Sequence, residues 1–250
     1  MDKKALNNLP DGFDHQAFLS IDSTNKEAIR RLHQGDASGL WITASEQTLG
    51  RGRSGRDWES KPGNLFCSLI QKTDGDIRKS SQLSFVAALA VHNTITEFID
   101  PDRVKCKWPN DILVVGRKIS GILLESYVSD NGTNYMIIGI GVNVAHHPEK
   151  TLYETTHINA ETDQVLSHID VFFVLTHKMS GWIEAWQSKG FEYIRKNWLS
   201  VATGLGSKIS VRLPNEQFEG RFIDLDSSGA LKLETDNEIK LIHSGDVFFA

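Results

Sequence analysis

The period of the apolar positions changes several times along this chain, and each change marks an element. Residues 22–36, DSTNKEAIRRLHQGD, place Ala28, Ile29 and Leu32 on one helical face. Thr24 and Glu27 stand at the T-x-x-E spacing of a capping box and Gly35 suits a C-terminal stop, so this stretch predicts a helix. LWITA at 40–44 and NLFCSLIQ at 64–71 predict buried strands. Within 80–99, Leu83, Val86, Ala87, Ala90 and Val91 follow i, i+3, i+4, i+7, i+8, which predicts a helix capped by Ser80 or Ser81. VKCKW, DILVV and ISGILLESYV then predict strands, with Gly116-Arg117 as the hairpin turn between the last two. YMIIGIGVNV closes that series, and residues 170–199 predict a helix punctuated by Gly190.

From about Gly204 the pattern changes. KISVRL, EGRFIDLD, ALKLET and IKLIHSG are short alternating strands separated by PNEQ, DSSG and TDNE turns, the pattern of a small antiparallel barrel. The expected architecture is α+β: a mixed-sheet domain over about 1–200, then a small β-domain over 205–250. Strands and helices do not alternate regularly, which argues against a plain doubly wound fold.

Composition narrows the classes. The chain has 250 residues, 40% apolar and 24% charged, with 12 Phe and 6 Trp, so it buries too much apolar area to be disordered. Its 27 Lys+Arg against 32 Asp+Glu give −5, which excludes a wholly basic nucleic-acid binder but not a local basic patch. No apolar run reaches the ~18 residues of a membrane span, and MDKKALNNLPDGFDH has no apolar stretch behind its lysines, so no secretory signal is expected. Cys67 and Cys106 lie far apart in apolar segments and suggest a reducing cytoplasm. The histidines show no metal-ligand spacing, and His146-His147 is read as a solvated loop before Pro148.

Four segments carry candidate chemistry. Gly50-Arg51-Gly52-Arg53-Ser54-Gly55-Arg56 satisfies G-x-G-x-x-G literally, but a turn and a strand follow it instead of a helix, so it is not a dinucleotide fingerprint. What remains is a loop of alternating glycines with three arginine forks, suited to phosphate or carboxylate, or equally to a surface loop touching RNA. Lys107-Trp108-Pro109-Asn110-Asp111 ends a strand, where Asn110 and Asp111 are either turn-formers or site residues. Lys118 opens an apolar strand and either directs its ammonium into a pocket or sits solvated at a hairpin turn. Gly139-Ile140-Gly141-Val142-Asn143-Val144 puts two glycines and one polar residue in a strand, marking a bulge or the close approach of a ligand.

Taken in order, these segments resemble the biotin protein ligases: STN at 23–25, EQTLGRGRSGRDW at 46–58, KWPND at 107–111, RKISGILLE at 117–125 and GIGVNV at 139–144. The C-terminal segment is similar to that family's small SH3-like domain, so the resemblance spans nearly the whole chain. It implies a catalytic domain related to class II aminoacyl-tRNA synthetases. It also implies a two-step reaction: biotin and ATP give biotinyl-5′-AMP and pyrophosphate, and a lysine of a biotin carboxyl carrier domain then displaces AMP. Only about 20 residues precede the first motif, too few for a three-helix DNA-binding domain, so a monofunctional enzyme without a DNA partner is expected. No membrane partner is expected, and a homodimer is one possibility the family offers.

The resemblance also distributes roles. Arg51, Arg53, Lys118 and Asp111 are the expected catalytic residues: the three cations screen the approach of two anions, and Asp111 orients or deprotonates the acceptor lysine. Biotin is expected at Ser23, Thr24, Asn25, Gln47, Arg51, Gly52, Arg53, Lys118 and Gly121. The bicycle would lie against the glycines at 121, 139 and 141. ATP and the adenylate are expected at Arg51, Arg53, Trp58, Asn110, Asp111, Lys118 and Asn143, with Trp58 over adenine. Mg²⁺ is expected as MgATP, with no metal site in the protein. Residues 50–58 are expected to order over the labile adenylate.

Three rival readings stand beside this one. A lipoate protein ligase would use the same adenylate chemistry, a noncatalytic RNA-binding protein would use the Arg/Gly loop, and an inactive relative would keep only the fold. Residues 205–250 hold 5 Lys+Arg and 8 Asp+Glu, hence −3, which disfavours nucleic acid there.

Overall fold

A computed structural model describes residues 8–35, 38–149, 151 and 153–249. The absence of a secretory signal, inferred from the first residues, lies largely outside the described residues, whereas the helix stop expected at Gly35 is met, with the helix ending at His33 and Gly35 at φ 93°.

The larger sheet has seven strands in the order β1-β2-β3-β7-β6-β5-β4. These are β1 Asp14–Ile21, β2 Leu40–Gln47, β3 Leu65–Thr73, β4 Val104–Lys107, β5 Asp111–Val114, β6 Arg117–Val128 and β7 Asn134–Val142. β1 runs parallel to β2 and every other neighbour is antiparallel, so the sheet is mixed as expected. The central strands read as unbroken apolar runs because both faces are covered. Ile42, Ile70 and Ile137 pack under Ala28 and Leu32 of helix α1, Thr24–His33, while Trp41, Leu69 and Ile138 point the other way into the main core.

That main core is roofed by α3, Leu83–Ile95, and α5, His168–Ser200. The predicted 80–99 helix is in fact two pieces, a short α2 at Ile77–Ser81 and then α3, which starts after Gln82 without a serine cap. α3 has no polar face, because sheet and α5 enclose it; Phe85 meets Phe191 and Trp198 of α5 edge-on at 5.5 and 5.4 Å. A Ser167–Asp170 capping box starts α5, and Gly190 at φ 74° breaks it into two helices.

The Thr24–Glu27 capping box does not form. Ser23 is the N-cap, and Glu27 instead pairs with Arg30 and Arg31. The hairpin between β5 and β6 turns on Val115-Gly116, at φ 48° and 79°, one residue earlier than the sequence suggested. Strand β1 escaped the sequence reading because it is a sheet edge: Leu19 is 87% exposed, so no buried alternation marks it.

A second sheet of five antiparallel strands, β11-β10-β9-β8-β12, follows α5. Four of them, β8 Lys208–Arg212, β9 Gln217–Leu225, β10 Leu231–Glu234 and β11 Ile239–Ile242, match the predicted ones, and β12 Asp246–Phe249 is additional. Its turn at Gly229, φ +88°, presses on the Phe85 ring where a Cβ would come within 2.3 Å. The Gly229 carbonyl accepts from Trp108 Nε1 at 3.1 Å, joining this sheet to the turn between β4 and β5.

Candidate active site

On β7 the side chains at 137, 139 and 141 share the α1 face. Ile137 lies under the helix, but beyond it two glycines lower the surface at α1's N-terminal end. A cavity of about 470 Å³ opens there, within the size range of small-molecule sites. It is lined by residues from five separated segments, 23–25, 47–59, 110–123, 139–155 and Asp246. Ser23, Thr24, Asn25, Gln47, Arg51, Gly52, Arg53, Trp58, Asn110, Asp111, Lys118, Gly121 and Asn143 all reach it.

The Arg/Gly loop is a closed excursion between β2 and β3. The Arg51 and Asp57 backbones pair as an isolated antiparallel bridge, and the Gly52 and Trp58 amides donate to Arg56 and Gly50 carbonyls at 2.6 and 3.0 Å. Ser54 and Gly55 at φ 55° and 72° make the tip. Each arginine leans on a different wall: Arg51 on Glu125 at 2.9 Å, Arg53 on the Asn110 Oδ1 at 3.0 Å, and Arg56 on Asp246 of β12 at 2.9 Å. Burial holds the Arg53 guanidinium below its ordinary pKa, while the hydrogen bond that Arg56 donates to Asp246 raises that of Arg56.

Lys118 stands at a bulge of β6, and its ammonium lies 2.6 Å from Asp111 Oδ1, an ion pair without hydrogen-bond alignment. The same ammonium is 5.4 Å from the Trp58 ring centre. Lys107, the first residue of KWPND, is buried against Tyr153 at 4.2 Å and the rings of Phe248 and Phe249, and burial lowers its pKa. Asn110 is the turn clamp the sequence left open: Nδ2 donates to the Ile122 carbonyl at 2.7 Å while Oδ1 holds Arg53.

At the other end polar groups are spent on one another. Gln47 Oε1 accepts from the Thr24 amide and hydroxyl, and its Nε2 donates to Ser60. The Ser68 hydroxyl lies within hydrogen-bond distance of Thr24 Oγ1 and Asn25 Oδ1, and Asn25 donates to Glu125. The Ser23 hydroxyl caps no helix amide and is free to face the cavity.

Two sequence expectations change here. The glycine surface expected to meet a bicycle is covered by protein: Trp58 lies over Gly121 and Gly141, where a Cβ would meet its indole at 3.0 and 2.5 Å, and Asn25 covers Gly139 at 2.3 Å. The glycines thus seat an indole against the sheet, leaving Nε1 buried without a partner. The His146-His147 loop is bonded, not simply solvated: His146 Nε2 lies 3.0 Å from the Pro62 carbonyl, and His147 meets His157 at 2.7 Å. Sequence reasoning missed Arg56's partner Asp246 and Tyr153, because β12 and the 145–157 segment lack a marked apolar period, and it gave no role to Asp57 and Glu59 beside the arginines.

Among the described residues no group of three His, Cys, Asp or Glu side chains could hold a metal ion. No helix among the described residues is long and apolar enough to cross a membrane.

The comparisons with known proteins agree with this arrangement. Residues 17–143 match the biotin/lipoate A/B protein ligase family and residues 204–250 the biotin protein ligase C-terminal domain. A biotin–[acetyl-CoA-carboxylase] ligase of Paracoccus denitrificans is 36% identical, with 91% of this chain and 97% of that protein covered. The structure of a biotin protein ligase from Aquifex aeolicus in complex with biotin and ATP superposes with a TM-score of 0.78, 26% identity and coverage of 94% and 97%. One from Leishmania major in complex with biotinyl-5-AMP gives a TM-score of 0.66 at 26% identity, covering 92% and 99%. With these matches over its cavity and its second sheet, the chain belongs to the biotin protein ligase family.

Proposed function

We propose that this chain is an ATP-dependent ligase that activates biotin as biotinyl-5′-AMP and transfers it to a lysine of a biotin carboxyl carrier domain. The observation that carries this reading is that Arg51 and Arg53 of the loop after β2 and Lys118 of β6, from two separate segments, line one cavity. A carboxylate at pH 7 needs no base. What it needs is relief from repulsion as its oxygen attacks the α-phosphorus and the bond to the pyrophosphate oxygen breaks. Lys118 takes the carboxylate or α-phosphate, Arg51 and Arg53 the nucleotide side, and Mg²⁺ enters with ATP as substrate. Trp58 offers a flat face to adenine, and the free Ser23 hydroxyl a polar contact to the ureido end.

In transfer, the carrier amine attacks the acyl carbon, the amide forms and AMP leaves. Asp111 orients that amine or takes its proton. The arginine loop, anchored on three walls, excludes water from the mixed anhydride meanwhile. The lipoate reading is disfavoured by the match of residues 204–250 to the biotin protein ligase C-terminal domain. The test is mass spectrometry of a purified carrier domain after incubation with enzyme, biotin and MgATP. Gain of one biotinyl group is expected; no gain, or lipoylation when lipoate is supplied instead, would refute the reading.

A further inference from the structure

Outside the cavity, one buried carboxylate is wired to its central lysine. Glu161 ends the short helix α4, Ile158–Glu161, and its side chain is 2% exposed. Its Oε2 accepts from Arg103 at 2.6 Å and its Oε1 from Arg117 at 2.7 Å. The Thr156 hydroxyl, wholly buried, donates to Oε1 as well.

Thr156 is also the backbone partner of Lys118. The Lys118 amide donates to the Glu154 carbonyl at 2.8 Å, and the Lys118 carbonyl accepts from the Thr156 amide at 2.9 Å. This pairing stands where the register of β6 against β5 shifts. Arg117 precedes Lys118 in the chain. The contacts therefore close into a ring: the Lys118 peptide, the Thr156 backbone, its hydroxyl, the Glu161 carboxylate, the Arg117 guanidinium, and Lys118 again across one peptide bond. A bulge re-aims a side chain, and a long flexible lysine is aimed first by its backbone.

We propose that Glu161 is a positioning residue for Lys118, holding residues 117 and 118 at the bulge so that the ammonium stays beside Asp111 inside the cavity. The carboxylate touches no reactant; it acts by fixing both neighbours of the lysine's peptide group. A gap opened there moves the ammonium by a fraction of an ångström to an ångström, and displacements of that order cost up to about 10²-fold in rate. The proposal rests on the reading of Lys118 as the adenylating cation.

The experiment is a double-mutant cycle on biotin-dependent ATP–pyrophosphate exchange, with the full chain and folding checked by circular dichroism. Glu161→Gln keeps the shape and removes the charge; Thr156→Val opens the ring without burying an unpaired ion, and Thr156→Ser restores the hydroxyl. Glu161→Gln and Thr156→Val are each expected to lower kcat about 10-fold with KM for ATP little changed, and Thr156→Ser to stay near the parent. In a Lys118→Ala background neither should lower exchange further. An equal loss in both backgrounds would show Glu161 acting elsewhere and overturn the proposal alone. Normal exchange by Lys118→Ala itself would overturn the reading of Lys118 first, and the proposal with it.

Discussion

At one end of the cavity Thr24, Asn25, Gln47, Ser60 and Ser68 spend most of their hydrogen bonds on one another, with Asn25 also donating to Glu125; at the other, Arg51, Arg53, Arg56 and Lys118 each lean on a partner from a different segment. The first end is a directed network of mostly neutral groups, which holds one shape and loses stability when any member leaves a buried partner unpaired. The second is held largely by ion pairs, whose strength falls with solvent access and whose direction is loose. A triphosphate or a carboxylate can exchange into such pairs, whereas a new ligand gains little by breaking the neutral network. The difference separates a rigid recognition end from an adaptable reacting end within one pocket.

Breaking the reacting end should give the largest effects. Lys118→Ala is expected to slow biotin-dependent ATP–pyrophosphate exchange by about 10²–10³, as for loss of a preorganised electrostatic donor, without loss of folded structure. Asp111→Asn should leave exchange largely intact and slow transfer from added biotinyl-AMP by about 10², measured by single-turnover labelling of a carrier domain; equal loss in both steps would give Asp111 a scaffold role. Arg53→Ala should lower biotin attachment about 10-fold and release free biotinyl-AMP, detected chromatographically. Protease resistance of residues 50–58 should rise when the adenylate binds.

The recognition end sharpens the contrast with smaller numbers. Ser23→Ala should raise the KM for biotin about 5-fold at constant kcat, the weight of one hydrogen bond. Gln47→Ala should instead lower stability by about 1–3 kcal/mol, read from denaturant midpoints, since it strands the Thr24 amide. The smallest effect is on pH. Burial holds His15, His92, His157 and His168 below their ordinary pKa, with His147 and His146 adding to the shift of His157. The unfolded chain therefore binds protons more readily, so stability is full above about pH 6.5 and is lost as pH falls below it. The Tm should drop by about 2–5 °C from pH 7.5 to 5.5.

Much of this was readable before the fold. Apolar runs gave the central strands because both sheet faces are covered, and the Arg/Gly and KWPND segments marked the reacting end through residue types that a bare turn does not need. Two of the four sheet edges were not readable: β1 is too exposed and β12 too short to show a period. Nor could sequence say which polar side chains were already engaged. Ser23 and Gln47 look equally available as letters, yet Gln47 is spent on Thr24 and Ser60 while the hydroxyl of Ser23 is left free. The covering of Gly121 and Gly141 by Trp58 was hidden for the same reason, since a glycine in a strand announces a close neighbour without naming it.

The plug that Gly229 makes against Phe85, with its carbonyl held by the Trp108 indole, has a thermodynamic consequence. Detaching the second sheet would strip an aromatic cluster of its cover and orphan a donor at the base of the KWPND turn. Both sheets should therefore melt together, giving one calorimetric peak whose van't Hoff and measured enthalpies coincide.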